Sequence, residues 1–275
     1  MNALATHEPP AVGIRPYASD DEKQVRFMVG QALMEPLAFA NKSSYFHPLT
    51  LAVWIAVSSM FAQYMNWWPN PEQYGFMGYF VVLPAFFAPA VPILALTDWL
   101  NRPSIEENTE KTLRRPDLYK IDQYYTRSPS SGLYLLTISD KIIGLIALDA
   151  SKSSTSESSI APASAAPSAT ERKQMLESKG TATIATIRHI FVEEPYRPAK
   201  PEDDLLKLAV RRAFEGDKTV DRVRALGGRL RPTVEESLRR NGFVPGEKEG
   251  TLGFFKWETR WYTLTREAWE AKEKT

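Results

Sequence analysis

The 275-residue chain contains no cysteine and only three histidines, His7, His47 and His189. The first absence excludes disulfides, thiolate-bound zinc, iron–sulfur clusters and thiol nucleophiles. Histidines this far apart offer no metal-ligand spacing, so no metal is expected. Charge of one sign is also missing. Lys+Arg total 34 against 33 Asp+Glu, a net charge of +1, so nothing points to nucleic acid and no such partner is expected. Residues 1–13 lack a basic start followed by an apolar stretch, so no cleaved signal peptide is expected.

What the chain does have is two long runs without charge. Leu49 to Met65 is uncharged for roughly seventeen residues, the short end of what spans a bilayer. Tyr74 to Thr97 is uncharged for roughly two dozen. Between them, Pro69 and Pro71 break helix, Asn66 and Asn70 form turns, and Trp67, Trp68 and Tyr74 suit the headgroup boundary. Pro84, Pro89 and Pro92 should kink the second run, which lipid-embedded helices tolerate. The expectation is a transmembrane helical hairpin over 48–98. Two buried helices of a large soluble core, or a re-entrant hairpin, are the alternatives. Lys42, Arg102, Lys111, Arg114 and Arg115 flank the hairpin and its turn has no Lys or Arg, which places both termini in the cytosol. Short spans and no other visible targeting signal make the endoplasmic reticulum membrane the expected location.

The remainder reads as one α/β domain assembled from 1–47 and 99–265, with a charged C-terminal tail at 266–275. Ile14 to Tyr17 is a strand candidate, and Ser19 or Asp20 can cap the next helix, with Val25, Met28, Val29 and Leu33 along its apolar face. Ser104 to Tyr125 reads as helix interrupted at Pro116. Leu133–Ile138, a turn at Ser139–Lys141 and Ile142–Leu148 form a β-hairpin. Residues 150–170 are rich in Ser, Ala and Pro and read as a disordered loop. Thr181–Val192 is a β-branched strand. Pro201 opens a helix, Val220–Leu226 is a strand, and Pro232–Asn241 is a helix ended by Gly242. Phe254–Leu264 supplies a last strand or two. The alternation gives an α/β fold with a mixed sheet. Arg211, Arg212, Arg222, Arg224, Arg229, Arg231, Arg239 and Arg240 make either a basic face for anionic lipids or ordinary solvated faces.

In this order the chain resembles the GCN5-related N-acetyltransferase superfamily, and in particular its membrane-anchored camello-like branch. Ile14-Arg15-Pro16-Tyr17 with Asp20 looks like the opening strand and helix, after which that branch inserts its hydrophobic segment. Lys141-Ile142-Ile143-Gly144 matches the central hairpin. His189-Ile190-Phe191-Val192 followed by Arg197 is similar to the signature strand and the start of the pyrophosphate loop. Asn241-Gly242-Phe243 matches the ending of the penultimate helix. The resemblance implies acetyl-CoA as cofactor, its amide arm along Ile190, Phe191 and Val192 and its diphosphate on Arg197, Ala199 and Lys200. It implies His189, with Glu193 next, as the group that positions or deprotonates an amine; a structural hydrogen-bonded histidine is the competing role.

The chain departs from the family loop, Arg/Gln-x-x-Gly-x-Gly/Ala. Here it reads Arg197-Pro198-Ala199-Lys200-Pro201-Glu202, without either glycine. Two prolines have no N–H to donate, and Glu202, Asp203 and Asp204 sit where a diphosphate would bind. Leu238 occupies the place of a tyrosine the family often uses as acid. Two functions follow as expectations. One is acetyl transfer to an amine of a membrane or secretory-pathway client. The other is a catalytically degenerate fold acting as an endoplasmic-reticulum accessory factor in membrane-protein folding or trafficking. Either way the expected partners are the lipid bilayer and a membrane-protein client.

Overall fold

Helices and strands fall where the side-chain periods put them, with the exceptions noted below. The computed structural model describes residues 12–70, 72, 75–156 and 179–274. Strand β1 (Val12–Pro16) leads into α1 (Glu22–Tyr45), followed by α2 (Pro48–Met65), α3 (Leu83–Leu113) and α4 (Ile121–Tyr125). Then come β2 (Gly132–Ile138), β3 (Lys141–Ser151), β4 (Thr181–Val192), α5 (Pro201–Gly216), β5 (Arg222–Gly228) and α6 (Pro232–Arg240). The chain closes with β6 (Val244–Leu252), β7 (Trp257–Thr265) and α7 (Arg266–Glu273). Two compact units result: Met1–Leu33, Asn108–Thr251 and Glu258–Thr275 form the first, Met34–Glu107 and Leu252–Trp257 the second.

The first unit holds a seven-stranded sheet in the order β1-β2-β3-β4-β5-β7-β6. Strands β4 and β5 are parallel, and β1/β2, β2/β3, β3/β4 and β5/β7 are antiparallel. It is a mixed α/β sheet. Ser139 and Asp140 join β2 to β3 with φ of 45° and 70°, the left-handed pair that a two-residue hairpin turn requires. Alternation along β3 and β4 divides the core between the two faces. Ile146, Leu148, Ile187, Ile190 and Val192 pack with Leu205, Leu206, Ala209 and Phe214 of α5. On the other face, Leu145, Ala147 and Phe191 pack with Val25, Met28 and Val29 of α1 and with Tyr124 and Tyr125 of α4. Each such buried side chain contributes about 1.5–3 kcal/mol relative to exposure.

In the second unit, α2 and α3 are long and apolar enough to cross a membrane by length and composition. Asn66 ends α2 in the left-handed conformation, its N–H reaching back to Ala62 and Gln63. Ala62 and Ala85 are fully buried, and the Trp54 indole N–H donates to the Phe86 carbonyl at 2.9 Å. Asn101, also fully buried, is a polar hub. Its amide donates to Asn41 Oδ1 (2.9 Å) and Ser44 Oγ (3.0 Å), and its Oδ1 accepts from the Phe254 N–H (2.9 Å).

Several sequence expectations need correction. The second apolar helix begins at Leu83, after a 3-10 turn at Gly75–Tyr79, and runs without a break to Leu113 through Pro89, Pro92 and Pro103. The separate helix expected from Ser104 is therefore its continuation, and only Ile121–Tyr125 lies beyond Pro116 as helix. Ser19 and Asp20 lie inside a 3-10 turn, and the Asp21 carboxylate caps instead by accepting from the Ala18 N–H at 3.0 Å. Strand β6 was invisible because its sequence, VPGEKEGTL, is exposed almost throughout and has no apolar alternation. The loop expected from residue 150 starts later: β3 continues to Ser151 and the Ser154 hydroxyl donates to the Ile184 carbonyl. The rest of that call, from residue 157, lies outside the described residues.

Candidate functional site

Strand β4 pairs with β3 from Thr181 to Val192, but with β5 only over Ile184–Ile187. Beyond Ile187 its backbone has a sheet neighbour on one side only. The opening lies beside Ile190, Phe191 and Val192, where the resemblance put the amide arm of a cofactor. One of its carbonyls is taken: Arg197 folds back and donates from Nε to Val192 O at 2.9 Å.

The loop that follows is closed on itself. A 3-10 turn covers Glu194–Ala199, and Lys200 then adopts φ 57°, ψ 42°. That is the left-handed conformation, and it stands at the position where the family loop has its first glycine. The Lys200 N–H donates to Arg197 O at 2.8 Å and the Asp203 N–H to Lys200 O at 3.0 Å. Pro201 has no N–H. Two of the first three residues of α5 therefore offer no free amide, although free amides are what make a helix N-terminus an anion site.

The acids at this helix end differ among themselves. Glu202 is buried, and burial raises its carboxyl above the usual range; Arg197 nearby, at 3.9 Å, opposes the shift. Asp203 is neutralised from α6. Arg240 donates to it at 2.9 and 3.0 Å, Asn241 at 3.2 Å, and Ser237 also donates. Burial would raise Asp203, but these donors hold it below its ordinary value. Asp204 is exposed, with Lys207 at 3.8 Å. The expected triple carboxylate barrier is thus mainly Glu202, and Asp203 is a clamp between α5 and α6.

His189 and Glu193 go to different partners. A β-bulge between Ala147 and Leu148 sets Ala147 opposite His189 and Leu148 opposite Ile187, leaving Arg188 as the extra residue. Both Arg188 and His189 therefore face α4. His189 is buried, its Nε2 lying 2.7 Å from Asp117 Oδ2, which also accepts from the Tyr125 hydroxyl at 3.0 Å. Burial would raise the Asp117 carboxyl; the charge and hydrogen bond of His189 and the charge of Arg188 prevail and hold it at about 2. An ionised carboxylate only accepts, so the proton lies on Nε2 of His189. Arg188 donates from Nε to Asp149 Oδ2 at 2.8 Å, where the Tyr124 hydroxyl also donates at 2.9 Å. Burial and the neighbouring carboxylates push both tyrosines up. Glu193 instead binds Lys141 at 2.7 Å at the surface.

Asp117, Tyr124, Tyr125, Asp149 and Arg188 thus form a buried network that sequence reading missed. Nothing in their spacing announced it, because the bulge and three separate elements bring them together. Of the arginines read as either a lipid-facing basic face or ordinary solvated faces, four have separate partners. Arg224 lies over Trp261 at 3.9 Å, Arg231 reaches the Ala32 carbonyl, Arg239 pairs with Glu235, and Arg240 with Asp203. Among the described residues no group of His, Asp and Glu is arranged to hold a metal.

No known family profile matches this chain, and no curated protein does. Solved structures similar to it include a GNAT-family acetyltransferase from Staphylococcus aureus Mu50, at 13% identity over 93% of this chain and 99% of that one, with a TM-score of 0.41. A second, from Streptococcus pneumoniae, is 14% identical over 62% of this chain and 90% of that one, with a TM-score of 0.37. A third is a putative streptothricin acetyltransferase from Bacillus anthracis in complex with acetyl coenzyme A. It is 17% identical over 53% of this chain and 69% of that one, with a TM-score of 0.36. Scores this low decide nothing about chemistry. The class defined by the sheet is a mixed α/β domain, accompanied by two helices of membrane-spanning length and apolarity.

Proposed function

We propose that this chain is a membrane-anchored protein of the acetyltransferase type that works by binding a partner and not by acetyl transfer. Its expected setting is the endoplasmic reticulum membrane, with both termini cytosolic, as an accessory factor for membrane-protein clients. The observation that carries this reading is the closed start of α5. Pro201 lacks an N–H, the Glu202 side chain is buried there, and Lys200 O takes the N–H of Asp203. A diphosphate arriving there meets a buried carboxylate in place of amides. The groups suggested for catalysis support the same reading, since His189 is buried against Asp117 and Glu193 is tied to Lys141. Membrane anchoring is supported by the exposed apolar side chains of α2 and α3, among them Met60, Tyr64, Phe87 and Val91; apolar surface of this extent needs lipid or protein to cover it.

A second reading, acetyl transfer from acetyl-CoA to an amine of a client, is favoured by the one-sided backbone of β4 past Ile187 and by the left-handed bend kept at Lys200. Calorimetry with acetyl-CoA on the detergent-solubilised protein separates the two. No saturable heat at millimolar ligand supports the binding-module reading, and tight binding supports the enzyme.

A further inference from the structure

A cavity of about 240 Å³ opens in the sheet-bearing unit between α5, the end of α6, the end of β7 and α7. It is lined by Lys207, Val210, Arg211, Asn241, Leu264, Trp269, Lys272 and Glu273. Val210 and Leu264 are buried and form an apolar floor. Trp269 rests on Phe214, ring centroids 5.2 Å apart, and gives its remaining surface to the cavity. Around this apolar lining stand three cations and one carboxylate. The cations are only weakly engaged: Lys207 has Asp204 at 3.8 Å, Arg211 has Glu215 at 4.0 Å, and Lys272 donates to the Arg240 carbonyl at 3.3 Å. The side chains of Lys207 and Arg211 are 68% and 65% exposed, so they can turn to a ligand with little loss of existing contact.

We propose that this cavity binds a phosphate monoester carried on a planar ring, of the nucleoside monophosphate class. At about 240 Å³ the cavity lies below the usual ~300–1,000 Å³ of drug-sized ligand pockets, so it suits a small ligand whose phosphate stays at the charged rim. Trp269 offers a surface for a ring to stack on, which is worth about 1–3 kcal/mol per base and tolerates any base. Lys207, Arg211 and Lys272 meet the phosphate with charge-assisted bonds. Glu273 can accept from a sugar hydroxyl or an exocyclic amine. The site does not use the loop at Lys200 or the opening beside β4, so it is independent of the reading proposed above.

The test is equilibrium binding of AMP to the full chain in detergent, with inorganic phosphate and adenosine as separate probes and acetyl-CoA as competitor. The expected result is saturable AMP binding, at least about tenfold tighter than phosphate or adenosine, since each of those lacks one of two interactions worth more than about 1.4 kcal/mol. Lys207→Glu with Lys272→Glu should abolish it, and Trp269→Leu should reduce it to the level of phosphate alone. Circular dichroism and an unchanged melting temperature of the lysine variants confirm that they fold. Three outcomes would overturn the proposal: no AMP binding at millimolar ligand, binding unaffected in the lysine variants, or displacement of AMP by acetyl-CoA.

Discussion

Arg188 and His189, adjacent in sequence, turn their side chains to the same face of β4, each toward a different buried aspartate. Regular strand geometry would send one of them to the opposite face. The bulge at Arg188 prevents this, and Asp149 and Asp117 receive the arginine and histidine side chains at 2.8 and 2.7 Å. The strand beside the opening past Ile187 is thereby committed to holding α4 in place.

Asp117→Ala should therefore unfold the sheet unit more easily. Removing Asp117 leaves His189 Nε2–H and the Tyr125 hydroxyl buried without their acceptor, at a cost of about 1–3 kcal/mol for each group. Thermal melts in detergent check this. The pH dependence has a definite sign. The Asp117 carboxyl is lowered from 3.8 to about 2 on folding, so its stabilisation is fully present above about pH 4 and fades as pH falls toward about 2. Asp117→Asn should lack that acid limb; an identical acid profile in wild type and variant contradicts the assignment.

Asp203 gives a second case. Arg240, Asn241 and Ser237 all donate to it, so Asp203→Ala should loosen α6 from α5 and cost about 1–3 kcal/mol. Chemical denaturation measures this. No loss of stability would mean that the acid faces solvent and serves as an electrostatic barrier, as the sequence alone suggested.

Asn101→Ala should destabilise the second unit by about 1–3 kcal/mol or more, since Asn41, Ser44 and the Phe254 N–H lose their partner together. The readout is the melting temperature in detergent, with Leu100→Ala as the control for lost volume.

The absence of cysteine makes topology directly measurable. Single cysteines at Ser19 and Asn70, both exposed, should differ in labelling by a membrane-impermeant maleimide. In sealed microsomes Ser19→Cys is expected to react from the cytosolic side and Asn70→Cys only after the membrane is opened. Equal labelling of both before opening would contradict a spanning hairpin.

Much of this fold was legible in sequence, and the reasons are physical. The β2–β3 hairpin shows a run of apolar residues around a polar turn, and α5 announces its start with Pro201 and three acids. The uncharged runs before and after Trp67 mark α2 and the first half of α3. Strand β6 was not legible because an edge strand is held by backbone bonds that leave no mark on side-chain pattern. The start of α3 at Leu83 was not legible because the uncharged run begins at Tyr74 and nothing in it marks the 3-10 turn at Gly75–Tyr79. Around the cleft, the missing glycines were plain, but their meaning was not. Sequence set Glu202, Asp203 and Asp204 together as one barrier, whereas Arg240 withdraws Asp203 and burial singles out Glu202. The His189 partner was hidden for a different reason. Asp117 is 72 residues away, and only the bulge turns the two toward each other.

The most direct test of the central claim is calorimetric titration of acetyl-CoA into the solubilised wild type and into a Lys200→Gly, Glu202→Gly variant. The two glycines remove the buried carboxylate from the start of α5, where charge-assisted hydrogen bonds are worth about 1.5–3 kcal/mol each. The account predicts no saturable heat for wild type at millimolar ligand and measurable binding for the variant. Tight binding by the wild type would contradict it.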